Sequence, residues 1–208
     1  MSYLPRPSEG GDFTPPPMGT HPAICYRVID LGTQHSSYKG GEKEQHKVML
    51  SWELKGDDTL MEDGSPMSIH QRYTWSMFDR AVLRQHLESW RGSRFTDADF
   101  GPGGFDVRKL LGVPCLLGIV HEERNGRTYA NVRGISRMPK GMSAGSLVNE
   151  PIYLWLSPEG WNQATFEKLS DHIQATIKKS PEYLKLMAQP QSRPEAPAAA
   201  FVDDEIPF

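Results

Sequence analysis

Apolar and polar residues alternate most cleanly over residues 47–54 (KVMLSWEL). Val48, Leu50, Trp52 and Leu54 fall on one face, and Lys47, Met49, Ser51 and Glu53 on the other. That period predicts a strand with its first face in a core. The run 23–31 (AICYRVIDL), rich in β-branched and aromatic residues, predicts an earlier strand that stops at Gly32. A polar loop is expected from His35 to His46. A third strand is predicted over 68–77 (SIHQRYTWSM), with Ile69, Tyr73, Trp75 and Met77 on one face and His70, Arg72 and Thr74 on the other.

The period then changes. Val82, Leu83, Leu87 and Trp90 recur at helical spacing, which predicts a short amphipathic helix with Asp79 as its N-cap and Gly92 as its stop. Strands four and five are predicted at 113–121 and 128–135, joined through Asn125-Gly126, a pair suited to the positive φ angles of a tight hairpin. Ser157-Pro158 is expected to open a helix carrying Phe166, Leu169, Ile173 and Ile177, and Ser180-Pro181 another. These apolar stripes need a partner surface, on the same domain or on a second copy of the chain in a homo-oligomer.

Five strands with a helix between the third and fourth is the element order of an OB-fold, a small Greek-key barrel. The expected fold class is therefore mainly β: a five-stranded OB-fold barrel, a C-terminal helical extension and a disordered acidic tail. The expected divisions are a flexible arm at 1–18, the barrel at 19–142, the helical extension at 143–187, a Pro/Ala linker at 188–202 and an acidic tip at 203–208.

Composition narrows the function. The 208 residues include 19 Gly and 17 Pro and are 38% hydrophobic, which suits one domain with unpacked ends. The formal charge is −3, but residues 143–208 carry 5 basic against 9 acidic side chains, so a mildly basic body precedes an acidic end. Cys25 and Cys115 are too few for a disulfide framework, and neither C-x-x-C nor H-x-x-x-H spacing marks a zinc site. A Gly-x-x-x-x-Gly-Lys phosphate loop is absent. Signal-peptide and membrane-spanning runs are absent too, so a reduced, cytoplasmic protein is expected, with no cofactor and no membrane partner. Glu53-Leu54-Lys55 with Asp30 upstream resembles the ligand set of Mg-dependent nucleases. Such a triplet arises readily by chance in a chain this rich in Glu and Lys, so a non-catalytic protein is expected.

Residues 203–208 (DDEIPF) resemble the acidic tip of bacterial single-stranded DNA-binding proteins. A Phe208 ring with its own carboxylate suits an apolar pocket rimmed by basic side chains. Asp203, Asp204 and Glu205 would steer the encounter ahead of Ile206 and Pro207. The body, over roughly 19–187, resembles phage and prophage single-stranded DNA-binding proteins. The resemblance is carried by Asp30-Leu31-Gly32-Thr33-Gln34, Ser51-Trp52-Glu53, Arg72-Tyr73-Thr74-Trp75-Ser76, Leu87-Glu88-Ser89-Trp90-Arg91-Gly92 and Leu110-Leu111-Gly112-Val113-Pro114-Cys115. It implies an OB-type protein that coats single-stranded DNA without sequence preference in replication, recombination and repair, and that recruits partner proteins through its tip. A recombination mediator, an annealing protein or a replication scaffold is the alternative within the same binding class.

Single strands are held by basic grooves and by aromatic faces on which bases stack. The fifth strand offers both, because Arg127, Tyr129, Asn131 and Arg133 alternate onto one face; this is the preferred DNA-binding surface. His70 and Arg72 on the third strand and Lys47 on the second add cations on a neighbouring face. Tyr38, Lys39 and Lys43 join from the first loop and Arg124 from the hairpin tip. Tyr73 and Trp75 are secondary stacking candidates because their face also carries Ile69 and Met77. Trp52 and Trp90 read as core.

Overall fold

The structure, a computed structural model, describes residues 14–38, 41–100 and 104–188. The first thirteen residues of the expected arm, Lys39, most of the linker and the tip lie outside the described residues.

Six strands form one open sheet: β1 (Gly19–Tyr38), β2 (Gly41–Leu54), β3 (Ser68–Thr74), β4 (Pro114–Arg124), β5 (Arg127–Ser136) and β6 (Ile152–Leu154). The path runs β3-β2-β1-β4-β5 with antiparallel pairing throughout, and β6 adds to β1 in parallel. The sheet curls, so that its end strands β3 and β5 approach each other. Helix α1 (Val82–Arg91) packs against both of these strands. Among the described residues no helix is long and apolar enough to cross a membrane.

The alternating face of β2 enters a core as its pattern demands. Val48, Leu50, Trp52 and Leu54 are buried with Cys25, Val28, Tyr73, Leu83, Leu87, Trp90, Leu117 and Ile135. The Trp52 and Trp90 rings meet at 6.0 Å between centroids, a tilted contact adding about 0.5–1.5 kcal/mol beyond area burial. Cys25 and Cys115 are free, buried thiols in this core, and burial pushes the Cys25 thiol up to about 12.

The opposite face of β2 departs from expectation. Met49, Ser51 and Glu53 are buried as fully as their neighbours. Met49 is covered by a second apolar layer, in which α2 (Gln163–Glu167), α3 (Asp171–Lys178) and α4 (Pro181–Ala188) lay Phe166, Leu169 and Ile177 with Leu154 of β6 against Ile29, Leu31 and Met49, whereas Glu53 accepts from the amides of residues 148–149. The helical stripes read from sequence thus find their partner on the outside of β1 and β2.

Several boundaries differ from those read in the sequence. The first strand does not stop at Gly32, because that residue sits at a register irregularity with φ 66° and the chain continues extended to Tyr38. The expected polar loop is therefore mostly a two-stranded arm. The third strand ends at Thr74 rather than Met77. Asp79 does not cap α1, whose N-cap is Ala81; its carboxylate lies 2.8 Å from Arg84 instead. Gly92 does end α1, at φ 76° with its N–H donated to the Glu88 carbonyl. Ser157-Pro158 sits in a turn, and the predicted helix after it is split into α2 and α3 at Lys168–Ser170. Residues 14–18 of the expected arm include a buried Pro16, whose carbonyl is 2.8 Å from His121 Nε2.

Candidate nucleic-acid interface

Register fixes which cations share the outer face. Arg27, Ser51 and His70 lie side by side across β1, β2 and β3. Ile29, Met49 and Arg72 form the next row, and Gly32, Lys47 and Thr74 the one after. The helical layer covers Ile29 and Met49 but leaves Arg72 and His70 exposed at its rim. The His70 imidazole is held below its usual range, first by desolvation and then by the charges of Arg72, Arg27 and His172. Four basic groups therefore face one another there, and none of them has an acidic partner among the described residues. The Nε of Arg27 is buried without a hydrogen-bond partner, while its guanidinium lies 5.1 Å from the Tyr26 ring centroid.

Beside this rim a groove of about 410 Å³ runs along β3 and the start of α1, lined by Gln45, Lys47, Gln71, Arg72, Thr74 and Phe78. Lys47 Nζ donates to Gln45 Oε1 and Thr74 Oγ1, each at 2.8 Å, and has no carboxylate partner among the described residues. Burial and the neighbouring Lys43 charge hold its pKa below the usual lysine range. Phe78 is 84% exposed and Val82 56%, so the groove carries a ring and an aliphatic edge already in solvent. The groove thus sets cations beside an exposed ring.

The fifth-strand face has similar ingredients. Tyr129 is 46% exposed, and Arg127 and Arg133 are exposed with no side-chain partner among the described residues. Arg133 is the extra residue at the irregularity between Gly118 and Ile119, so it stands out of the ladder. Asn131 is half-buried and its Nδ2 lacks a partner. Arg124 is exposed but bridged to Glu122, which stands opposite Tyr129.

The remaining sequence candidates separate. Tyr73 borders the groove but is only 3% exposed, with its hydroxyl 2.9 Å from His86 Nδ1. Trp75 is half-buried, edge-on to Trp155 at 5.0 Å. Lys43 is exposed on the β1–β2 arm, Tyr38 pairs with Gly41 through its backbone, and Lys39 lies outside the described residues.

Asp30 and Glu53 are not brought together. They pair with Val48 and Ile24, six residues apart along β1, on the order of 15–20 Å at the rise of a strand. Glu53 instead accepts from the Val148 and Asn149 amides and from Asn149 Nδ2 at 2.8–2.9 Å, with Lys55 Nζ at 2.6 Å. No protein-family model matches this chain, and no curated protein matches it.

Arg27 and Phe78 were not singled out by the sequence, and Val82, read there as part of the apolar stripe of α1, is exposed instead. Arg27 sits in an apolar run, and only the register irregularity at Cys25/Arg27 puts it on the outer face. Phe78 follows an apolar strand face, and nothing in its spacing distinguishes a core ring from an exposed one.

Proposed function

We propose that the protein binds single-stranded DNA without sequence preference, in phage or bacterial replication, recombination and repair, and recruits partner proteins through residues 203–208. The observation that carries this reading is the set of arginines without acidic partners among the described residues, Arg72, Arg127 and Arg133, on end strands that also adjoin the exposed rings of Phe78 and Tyr129. Most surface cations in folded chains have local partners or stand alone; here they accompany ring faces, which is the pairing of features a single strand requires. The strand path β3-β2-β1-β4-β5, with α1 between β3 and β4 and the two end strands approaching, supports an OB-type barrel with its seam between β3 and β5. The fit of the sequence to the acidic tip of bacterial single-stranded DNA-binding proteins supports the recruiting role.

The test is a fluorescence-anisotropy titration of the full chain with labelled oligo-dT and with matched duplex, at about 50 and 200 mM salt. Binding to oligo-dT that weakens steeply with salt and exceeds duplex binding is expected. Equal or absent binding to both would overturn the reading.

A further inference from the structure

We propose that the parallel rings of Tyr153 and Trp155, with Trp75, form a base-binding pocket that takes one unstacked base from a single strand lying in the Phe78 groove. This rests on the single-strand reading above and adds a site to it that neither the cations nor the groove contains.

The pocket has a volume of about 450 Å³ and is lined by Trp75, Phe105, Arg108, Tyr153, Trp155 and Glu159. The strand period builds it. Leu154 points into the outer apolar layer and is fully buried, so Tyr153 and Trp155 both turn to the other side of β6. Their rings are parallel within 4° at 6.2 Å between centroids. Trp75 meets Trp155 edge-on at 5.0 Å, and His46 backs Trp155 at 6.3 Å. All four side chains are half-buried: each is packed on part of its surface and keeps another part open. Such a rigid arrangement spends little conformational entropy on taking up another ring.

The rim is polar and suited to a base edge. Glu159 is exposed and has no partner among the described residues, so it can accept from an exocyclic amine. The Arg108 guanidinium is pinned by two hydrogen bonds to Asp106, at 2.9 and 2.8 Å, and stays 65% exposed for a phosphate.

Position selects a nucleic acid as the occupant. Thr74 and Ser76 line the Phe78 groove, whereas Trp75 between them lines the ring pocket. The end of β3 therefore borders both depressions, and the proposed path carries a strand from the groove to the pocket there. A base turned inward there meets Trp75 first and the Tyr153–Trp155 pair behind it.

Photocrosslinking of the full chain to a 5-iodouracil oligonucleotide, read by mass spectrometry, tests the pocket without any substitution. Crosslinks at Trp75, Tyr153 or Trp155 are expected. Crosslinks confined to Phe78 and Tyr129 would overturn the pocket while leaving the single-strand reading standing. In parallel, Tyr153→Leu and Trp155→Leu, checked for native circular dichroism, are expected to weaken oligonucleotide binding about tenfold and to abolish the quenching of a 2-aminopurine reporter. Unchanged affinity and quenching in both folded variants would also overturn the pocket. No anisotropy change with wild-type protein would remove both proposals at once.

Discussion

His46 Nε2 lies 2.6 Å from a carboxylate oxygen of Asp30, a residue only 1% exposed, and that contact joins β2 to β1 beneath the edge of the helical layer. Asp30 also accepts from the Gly32 and Leu156 amides. On its other side, His46 Nδ1 is 3.7 Å from Glu182 of α4, whose carboxylate accepts from Thr33 N and Oγ1. Burial alone would depress the His46 pKa. The Asp30 hydrogen bond and charge, with the Glu182 charge, outweigh it, and the net shift is upward.

A raised histidine pKa in the folded state means that protonated His46 favours folding. The contribution is full below the unfolded value of about 6.5 and is lost as pH rises through the higher folded value. We expect the thermal midpoint to fall across that window in wild-type protein and to be flatter there in His46→Asn. Identical pH profiles of the two proteins would refute the assignment.

Glu53 behaves in the opposite sense. Burial would raise its pKa, but Lys55, the Asn149 and Val148 amides and the Asn149 side chain bring it below the usual glutamate range. Its contribution is therefore present above the unfolded pKa and lost as pH falls through the folded one. Glu53→Ala leaves Lys55 with only its hydrogen bond to the Ser146 carbonyl and the Val148 and Asn149 amides unmatched, and should cost about 3 kcal/mol in urea denaturation. A cost under about 1 kcal/mol would show that residues 148–149 are not anchored there.

Gly32 lets α4 approach the sheet. A Cβ on it would stand 2.4 Å from Ser180 Cβ, at a backbone φ of 66° that side chains rarely adopt. Gly32→Ala should destabilise by about 2–4 kcal/mol through strain and overpacking together. Hydrogen exchange should show α4 loosened first, and uniform protection would contradict that placement.

Phe78 and Tyr129 are both exposed rings outside the core. Phe78→Ala and Tyr129→Ala should leave the melting temperature within a degree or two and weaken oligo-dT binding by about 1–3 kcal/mol each. Loss of stability with unchanged affinity would mean that these rings are structural.

Legibility followed the length scale of the interaction. The inner face of β2 and the Asn125-Gly126 hairpin were plain in the sequence because alternation and turn chemistry are local; Asn125 and Gly126 adopt φ 52° and 71° as the pair predicts. The burial of Met49, Ser51 and Glu53 was not legible. Met49 is covered by helices more than a hundred residues later and Glu53 by residues 148–149, and a polar Ser or Glu on a strand face ordinarily signals solvent. β6 escaped for a related reason: three residues are too few to display a period, and their pairing with Arg27–Ile29 is decided by where the helical layer docks. For the candidate site, alternation put His70, Arg72 and Tyr129 on exposed faces. Arg27 needed knowledge of a bulge, and Tyr153 and Trp155 needed knowledge of β6.

In the proposed function, arginines of β3 and β5 that have no acidic partner among the described residues hold the phosphates of a single strand. The most direct test is the salt dependence of oligo-dT binding in wild-type protein, Arg72→Ala and Arg133→Ala, with circular dichroism confirming the fold. Removing each phosphate contact should reduce the slope of log K against log salt by about 0.7. Slopes equal to that of wild type in both variants would contradict the account.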